Sequence, residues 1–151
     1  MLDGWVRFLC ALMALLLCGY ASGEGAVLVI EPPVGGVMSE GVLQEAVGIE
    51  TLGGVVAPIL QKGCKLPCSQ RKTFSTAEDN QDQITLAVFR GNSVYSREAR
   101  SLGIFRIGGI SPMPRGKTTI QVEFVADKNG ISLSATDGNG KSRLVLTRTV
   151  R

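Results

Sequence analysis

The stretch TIQVEFVADKNGISLSA, Thr119–Ala135, decides how this chain folds. Ile120, Val122 and Phe124 alternate with Gln121 and Glu123, and Ile131, Leu133 and Ala135 alternate with Ser132 and Ser134. A period of two sends one set of side chains to a buried face and the other to a wet face, as in a β-strand. Between the two runs lies Asp127-Lys128-Asn129-Gly130. Asn-Gly between alternating apolar segments is the strongest short-range hairpin signal. The stretch predicts two antiparallel strands joined by a tight turn.

The same pattern extends outward. ITLAVF places Ile84, Leu86 and Val88 on one face, GVVAPIL is apolar and β-branched, and RLVLT closes the set. Turn formers cluster at Arg90-Gly91-Asn92 and Asp137-Gly138-Asn139-Gly140. The chain has 151 residues with 19 glycines, and aromatics make up only 5%. Many turns and an aliphatic core follow. Short strands at this spacing, with almost no helical periodicity, predict an all-β fold, an antiparallel β-sandwich over residues 46–151. Residues 24–45 read as a poorly ordered linker, because EPPVGG interrupts any regular element, although AVLVI (Ala26–Ile30) has the composition of a short strand.

The N-terminus is different in kind. After Arg7, Phe8 to Cys18 is uninterruptedly apolar. That matches a signal-peptide core and falls short of the ~20 residues of a spanning helix. Small residues follow at Gly19, Ala21, Ser22 and Gly23. Residues 1–23 are therefore expected to form an apolar helix that serves as a signal peptide, with export to a periplasmic or secreted location. If it is retained, with Trp5 and Tyr20 as interfacial residues, the segment 5–21 would act as a short membrane anchor.

Composition excludes several chemistries. The chain has no histidine, which removes imidazole-based acid–base catalysis, Ser-His-Asp triads and imidazole zinc sites. Net charge is only +3, and the basic residues are scattered without interleaved aromatics, so nucleic acid is not an expected partner. No metal site is expected. Cys64 and Cys68 stand in GCKLPC, a C-x3-C spacing that is neither a redox C-x-x-C nor a zinc set. In an extended segment their Cα atoms lie ~13 Å apart. A disulfide needs less than ~7 Å, so a bridge requires Pro67 to bend the chain. Glu78, Asp79 and Arg115 offer a polar cluster with no second feature pointing to catalysis.

Several stretches carry a family resemblance: GIETLGGV (Gly48–Val55), FSTAEDNQ (Phe74–Gln81), SLGIF (Ser101–Phe105), PMPRG (Pro112–Gly116), IQVEF (Ile120–Phe124) and DKNGI with Ser134 and Ala135. In this order and spacing the chain resembles the substrate-binding β-domain of the seventy-kilodalton heat-shock (DnaK) chaperones. The resemblance implies binding of extended apolar segments of unfolded polypeptides. It implies that Ile49, Thr51 and Leu52 form one wall and Phe74, Ser75 and Ala77 the other, with Leu52 and Ala77 arching over the peptide. It further implies a central pocket of Ile49, Phe74, Ile84, Leu86 and Ile120, and a latch between Asp79 and Arg115. The match begins near Ala46. It implies neither a nucleotide-binding domain nor a helical lid here, so no cofactor is expected in this chain; ATP belongs to the family's nucleotide domain. The GISLSA segment is one residue shorter than is usual in the family, which predicts a bulge or register shift near Ile131–Ala135. Two other readings stay open: a structural or interaction β-domain that has lost peptide binding, and a non-functional fragment of a chaperone gene.

Overall fold

The computed structural model describes residues 26–31, 38–39, 41–140 and 143–150. In chain order the strands are β1 (Ala26–Glu31), β2 (Met38–Ser39), β3 (Val42–Leu43), β4 (Val47–Thr51), β5 (Val55–Leu60), β6 (Cys68–Ser75), β7 (Gln83–Arg90), β8 (Arg100–Gly108), β9 (Thr119–Asp127), β10 (Gly130–Asp137) and β11 (Val145–Thr149). They form a four-stranded sheet, β1-β10-β9-β6, and a five-stranded sheet, β11-β8-β7-β4-β5; β2 and β3 pair separately. All pairings are antiparallel. The only helix among the described residues is a single 3-10 turn at Ser96–Glu98, and none is long and apolar enough to cross a membrane. The expected apolar helix over 1–23 lies outside the described residues.

The alternation in Thr119–Ala135 places the core. Ile120, Val122, Phe124 and Ala126 on β9, with Ile131, Leu133 and Ala135 on β10, have no exposed surface. They meet Val47, Leu86, Val88, Phe105 and Ile107 from the five-stranded sheet in one apolar cluster. Fully burying each large aliphatic or aromatic side chain contributes roughly 1.5–3 kcal/mol. The β9–β10 register is continuous from Gly130 opposite Asp127 to Asp137 opposite Ile120. The turn differs from the expected Asn-Gly centre. Its central residues are Lys128 and Asn129, Gly130 takes the positive φ of 125°, and the Asp127 carboxylate accepts from the Asn129 amide at 2.7 Å.

The anticipated irregularity near Ile131 exists, but on the other side of β10. Between β1 and β10 the register slips from Val29 opposite Ser132 to Glu31 opposite Ile131. Part of the stretch read as a linker therefore belongs to the folded body. AVLVI is the core of β1 with Ile30 1% exposed, and Leu43 on β3 is fully buried. Arg148 on β11 donates from Nη1 to the carbonyl of Ile30 at 2.8 Å, joining the outer strands of the two sheets.

The cysteine expectation needs correcting. Cys64 and Cys68 are disulfide-bonded, with Cα atoms 6.3 Å apart. The connection is not extended, because the chain turns at Lys62–Gly63 and bends at Leu66–Pro67. It is pinned to the β3 region by bonds from the Leu43 amide to the Cys64 carbonyl (3.0 Å), from Gly63 to Leu43 (2.6 Å) and from Leu66 to Gly41 (2.8 Å).

Candidate functional site

The first wall grows out of β4. Its ladder with β7 covers only Val47, Gly48 and Ile49, opposite Arg90, Phe89 and Val88. Beyond Ile49, Glu50 and Thr51 pair with β5 alone, opposite Val56 and Val55. The hairpin thus leaves the sheet and carries Leu52 at its tip. Gly53 and Gly54 take φ of 84° and 72°, values that glycine adopts without Cβ strain. The Gly54 amide bonds to the Thr51 carbonyl at 3.2 Å, and Thr51 Oγ1 donates to the Val55 carbonyl at 2.9 Å. Leu52 is 100% exposed.

A brace holds this hairpin from outside. Ser96 Oγ donates to Glu50 Oε1 at 2.6 Å, its amide donates to the Gly54 carbonyl at 2.9 Å, and the Val56 amide donates to the Val94 carbonyl at 2.8 Å. Sequence reasoning did not link Ser96 to Glu50, because their sequence separation of 46 hides the contact.

The second wall ends β6. Phe74 and Ser75 lie opposite Ile120 and Thr119 on β9, and β6 is the outer strand of its sheet. The following loop is tied down at both levels. Gln81 Oε1 accepts from the amides of Ala77 (2.9 Å) and Glu78 (3.3 Å), while Gln81 Nε2 donates to the Gln83 carbonyl (2.7 Å). Across to the loop before β9, Ser75 Oγ donates to the Thr118 carbonyl (2.8 Å), the Gly116 amide to the Thr76 carbonyl (3.0 Å) and the Asn80 amide to the Met113 carbonyl (2.9 Å). Asn80 accommodates the tight path with φ of 57°, a region asparagine tolerates better than most residues.

The Asp79–Arg115 pairing is present through an unexpected atom. Asp79 Oδ1 accepts from the backbone amide of Arg115 at 2.9 Å. The carboxylate therefore fastens one loop to the main chain of the other, and the bond does not require the guanidinium.

The five predicted pocket residues lie on one apolar cluster but at different depths. Ile49, Phe74 and Ile84 are half-buried and pack against the core, whereas Leu86 and Ile120 are buried within it. Ile84 and Leu86 stand opposite Ile107 and Phe105 of β8. Leu86 and Ile120 are a floor; the accessible apolar surface comes from the other three. A separate cleft of about 330 Å³ at the edge of β5, lined in part by Ala46, Val56, Pro58 and Val94, contains none of the predicted residues. No group of three or more potential metal-ligating side chains occurs among the described residues.

Comparison with known proteins bears directly on this arrangement. The family profile described as "Hsp70 protein" matches residues 18–146. This chain belongs to the Hsp70 family. A relative, the chaperone protein DnaK of Mycoplasmoides gallisepticum, is 46% identical over 83 residues, which is 55% of this chain and 14% of that protein. The match covers only a small fraction of that relative's length.

Proposed function

We propose that this Hsp70-family domain binds extended apolar segments of unfolded polypeptides, in the manner of a chaperone and without nucleotide chemistry of its own. The observation that carries the reading is the parting of β4 from β7 after Ile49, which leaves an exposed leucine on a braced hairpin beside half-buried Ile49, Phe74 and Ile84. An extended chain meets such walls by main-chain hydrogen bonding, as in strand addition, with one apolar side chain seated below. Ile49, Thr51 and Leu52 act on one side and Phe74, Ser75 and Ala77 on the other. Leu86 and Ile120 support the floor, and the Asp79–Arg115 bond holds the second wall. Burying one ~130 Å² side chain at ~25 cal/mol/Å² supplies about 3 kcal/mol before ordering costs. Micromolar affinity needs about 8 kcal/mol, so main-chain bonds and the arch of Leu52 and Ala77 supply the remainder. ATP is assigned to the nucleotide domain of the family, and no described residue receives a catalytic role. The apolar run Phe8–Cys18 supports export or membrane tethering of the domain.

Fluorescence anisotropy with a labelled Leu-rich heptapeptide tests the reading. Saturable binding is expected, with loss on Ile84→Asp, which puts a charge among the half-buried apolar residues above the floor. Absence of saturation at hundreds of micromolar, from a sample that melts cooperatively, would leave a structural β-domain as the better description.

A further inference from the structure

The Cys64–Cys68 bridge is not used by the proposed peptide site, and its surroundings suit reversible chemistry. It closes a very short segment, so opening it releases little chain entropy and leaves the sheets dependent on their own core. Both cysteines are half-buried, while Lys62, Lys65 and Pro67 beside them are exposed, which keeps the segment at the surface. The backbone bonds from Leu43 to Cys64, Gly63 to Leu43 and Leu66 to Gly41 shape the connection independently of the sulfurs. In the bridged form the two Cα atoms are 6.3 Å apart, within the range a disulfide spans. Lys62 and Lys65 lie within two residues of Cys64 and are exposed.

We infer that Cys64–Cys68 is a thiol–disulfide exchange site whose partner is a thiolate, from a small thiol or from a cysteine of a polypeptide. An incoming thiolate attacks one Sγ. A mixed disulfide forms, the Cys64–Cys68 bond breaks, and the released sulfur leaves as a thiolate that takes a proton from water. A second partner thiolate attacks the partner sulfur of the mixed disulfide, forms the partner disulfide and expels the remaining protein cysteine as a thiolate, which also takes a proton from water. Two partner thiols are oxidised to a disulfide and the bridge is reduced to two thiols, so the bridge itself is the oxidant, once per molecule. This goes beyond peptide binding and stands independently of it.

The test uses the full chain with Cys10→Ser and Cys18→Ser, so that only the bridge cysteines report. The oxidised protein is treated with dithiothreitol, quenched with N-ethylmaleimide and weighed intact, with circular dichroism followed in parallel. The expected result is two adducts, on Cys64 and Cys68, while the β signal and melt remain those of a folded protein. Labelling without reductant, or labelling only once the sheets unfold, overturns the inference. A second arm replaces dithiothreitol with a reduced heptapeptide carrying two cysteines and follows its oxidation mole for mole. Oxidation of the peptide identifies polypeptide thiols as partners; reaction with dithiothreitol alone identifies small thiols. A cysteine-free heptapeptide is measured by anisotropy on the same sample. If it fails to bind while exchange proceeds, the peptide-binding reading falls and the exchange site stands.

Discussion

Gly48 is the residue on which the first wall depends, and replacing it by alanine gives a calculable result. It is the middle of the three residues through which β4 pairs with β7, and it simultaneously faces Pro58 of β5. A Cβ on Gly48 would run into the carbonyl oxygen of Ala57 and come within 2.8 Å of Val56 Cγ1. The first is backbone inside a ladder and does not yield cheaply. Overpacking of this kind costs roughly 1–3 kcal/mol. Displacing β4 also weakens its short ladder with β7, at about 1 kcal/mol per hydrogen bond lost. The sum is about 2–4 kcal/mol, which at about 4 °C per kcal/mol lowers Tm by about 8–16 °C for a domain of this size. Gly53→Ala, on the same hairpin, is the control. Its Cβ would meet nothing within 4 Å, and it carries only the penalty of φ at 84°. That penalty is about 1–2 kcal/mol. Thermal melts followed by far-ultraviolet circular dichroism compare the two. If Gly48→Ala melts as high as Gly53→Ala, the close-approach argument is wrong.

Asp79→Ala should destabilise the loop pair by about 1 kcal/mol, whereas Arg115→Ala should stay within about 0.5 kcal/mol of wild type, since the bond uses the Arg115 amide; chemical denaturation of both variants decides. Gln81→Ala removes the acceptor for two amides, so hydrogen exchange at Ala77 and Glu78 should quicken by about fivefold or more while core amides keep their protection. Leu52→Ala should leave the melt unchanged because the side chain is wholly exposed, yet weaken heptapeptide binding about tenfold in anisotropy.

What the sequence made legible follows from burial. On β9 each second residue is buried, so period two was visible in Ile120, Val122 and Phe124. On β6 the periodicity fails, because an outer strand with only Cys68 and Phe74 half-buried shows no alternating hydrophobicity. Phe74 and Ser75 entered as candidates through the family resemblance of FSTAEDNQ, not through pattern. The bridge was misjudged because extended spacing was assumed where the chain turns at Gly63 and bends at Pro67. For Asp79 and Arg115 the residue types suggested a guanidinium contact, whereas the Asp79 carboxylate accepts from the Arg115 backbone amide. The brace from Ser96 to Glu50 had no signal at all, since a contact between residues far apart in sequence leaves no trace in local composition.

The pairing of β1 with β10, fastened by Arg148, has a consequence for how the molecule is made. The partners of Ala26–Glu31 are Ile131 to Ala135, roughly a hundred residues downstream. A ribosome adding about 5–20 residues per second needs on the order of 5–20 s to deliver them. Through that interval Val27, Leu28, Val29 and Ile30 have synthesised neighbours but no strand to pair with. During its own synthesis this chain carries a strand whose pairing partner does not yet exist, so β1 completes the sheet only when the last strands have been made.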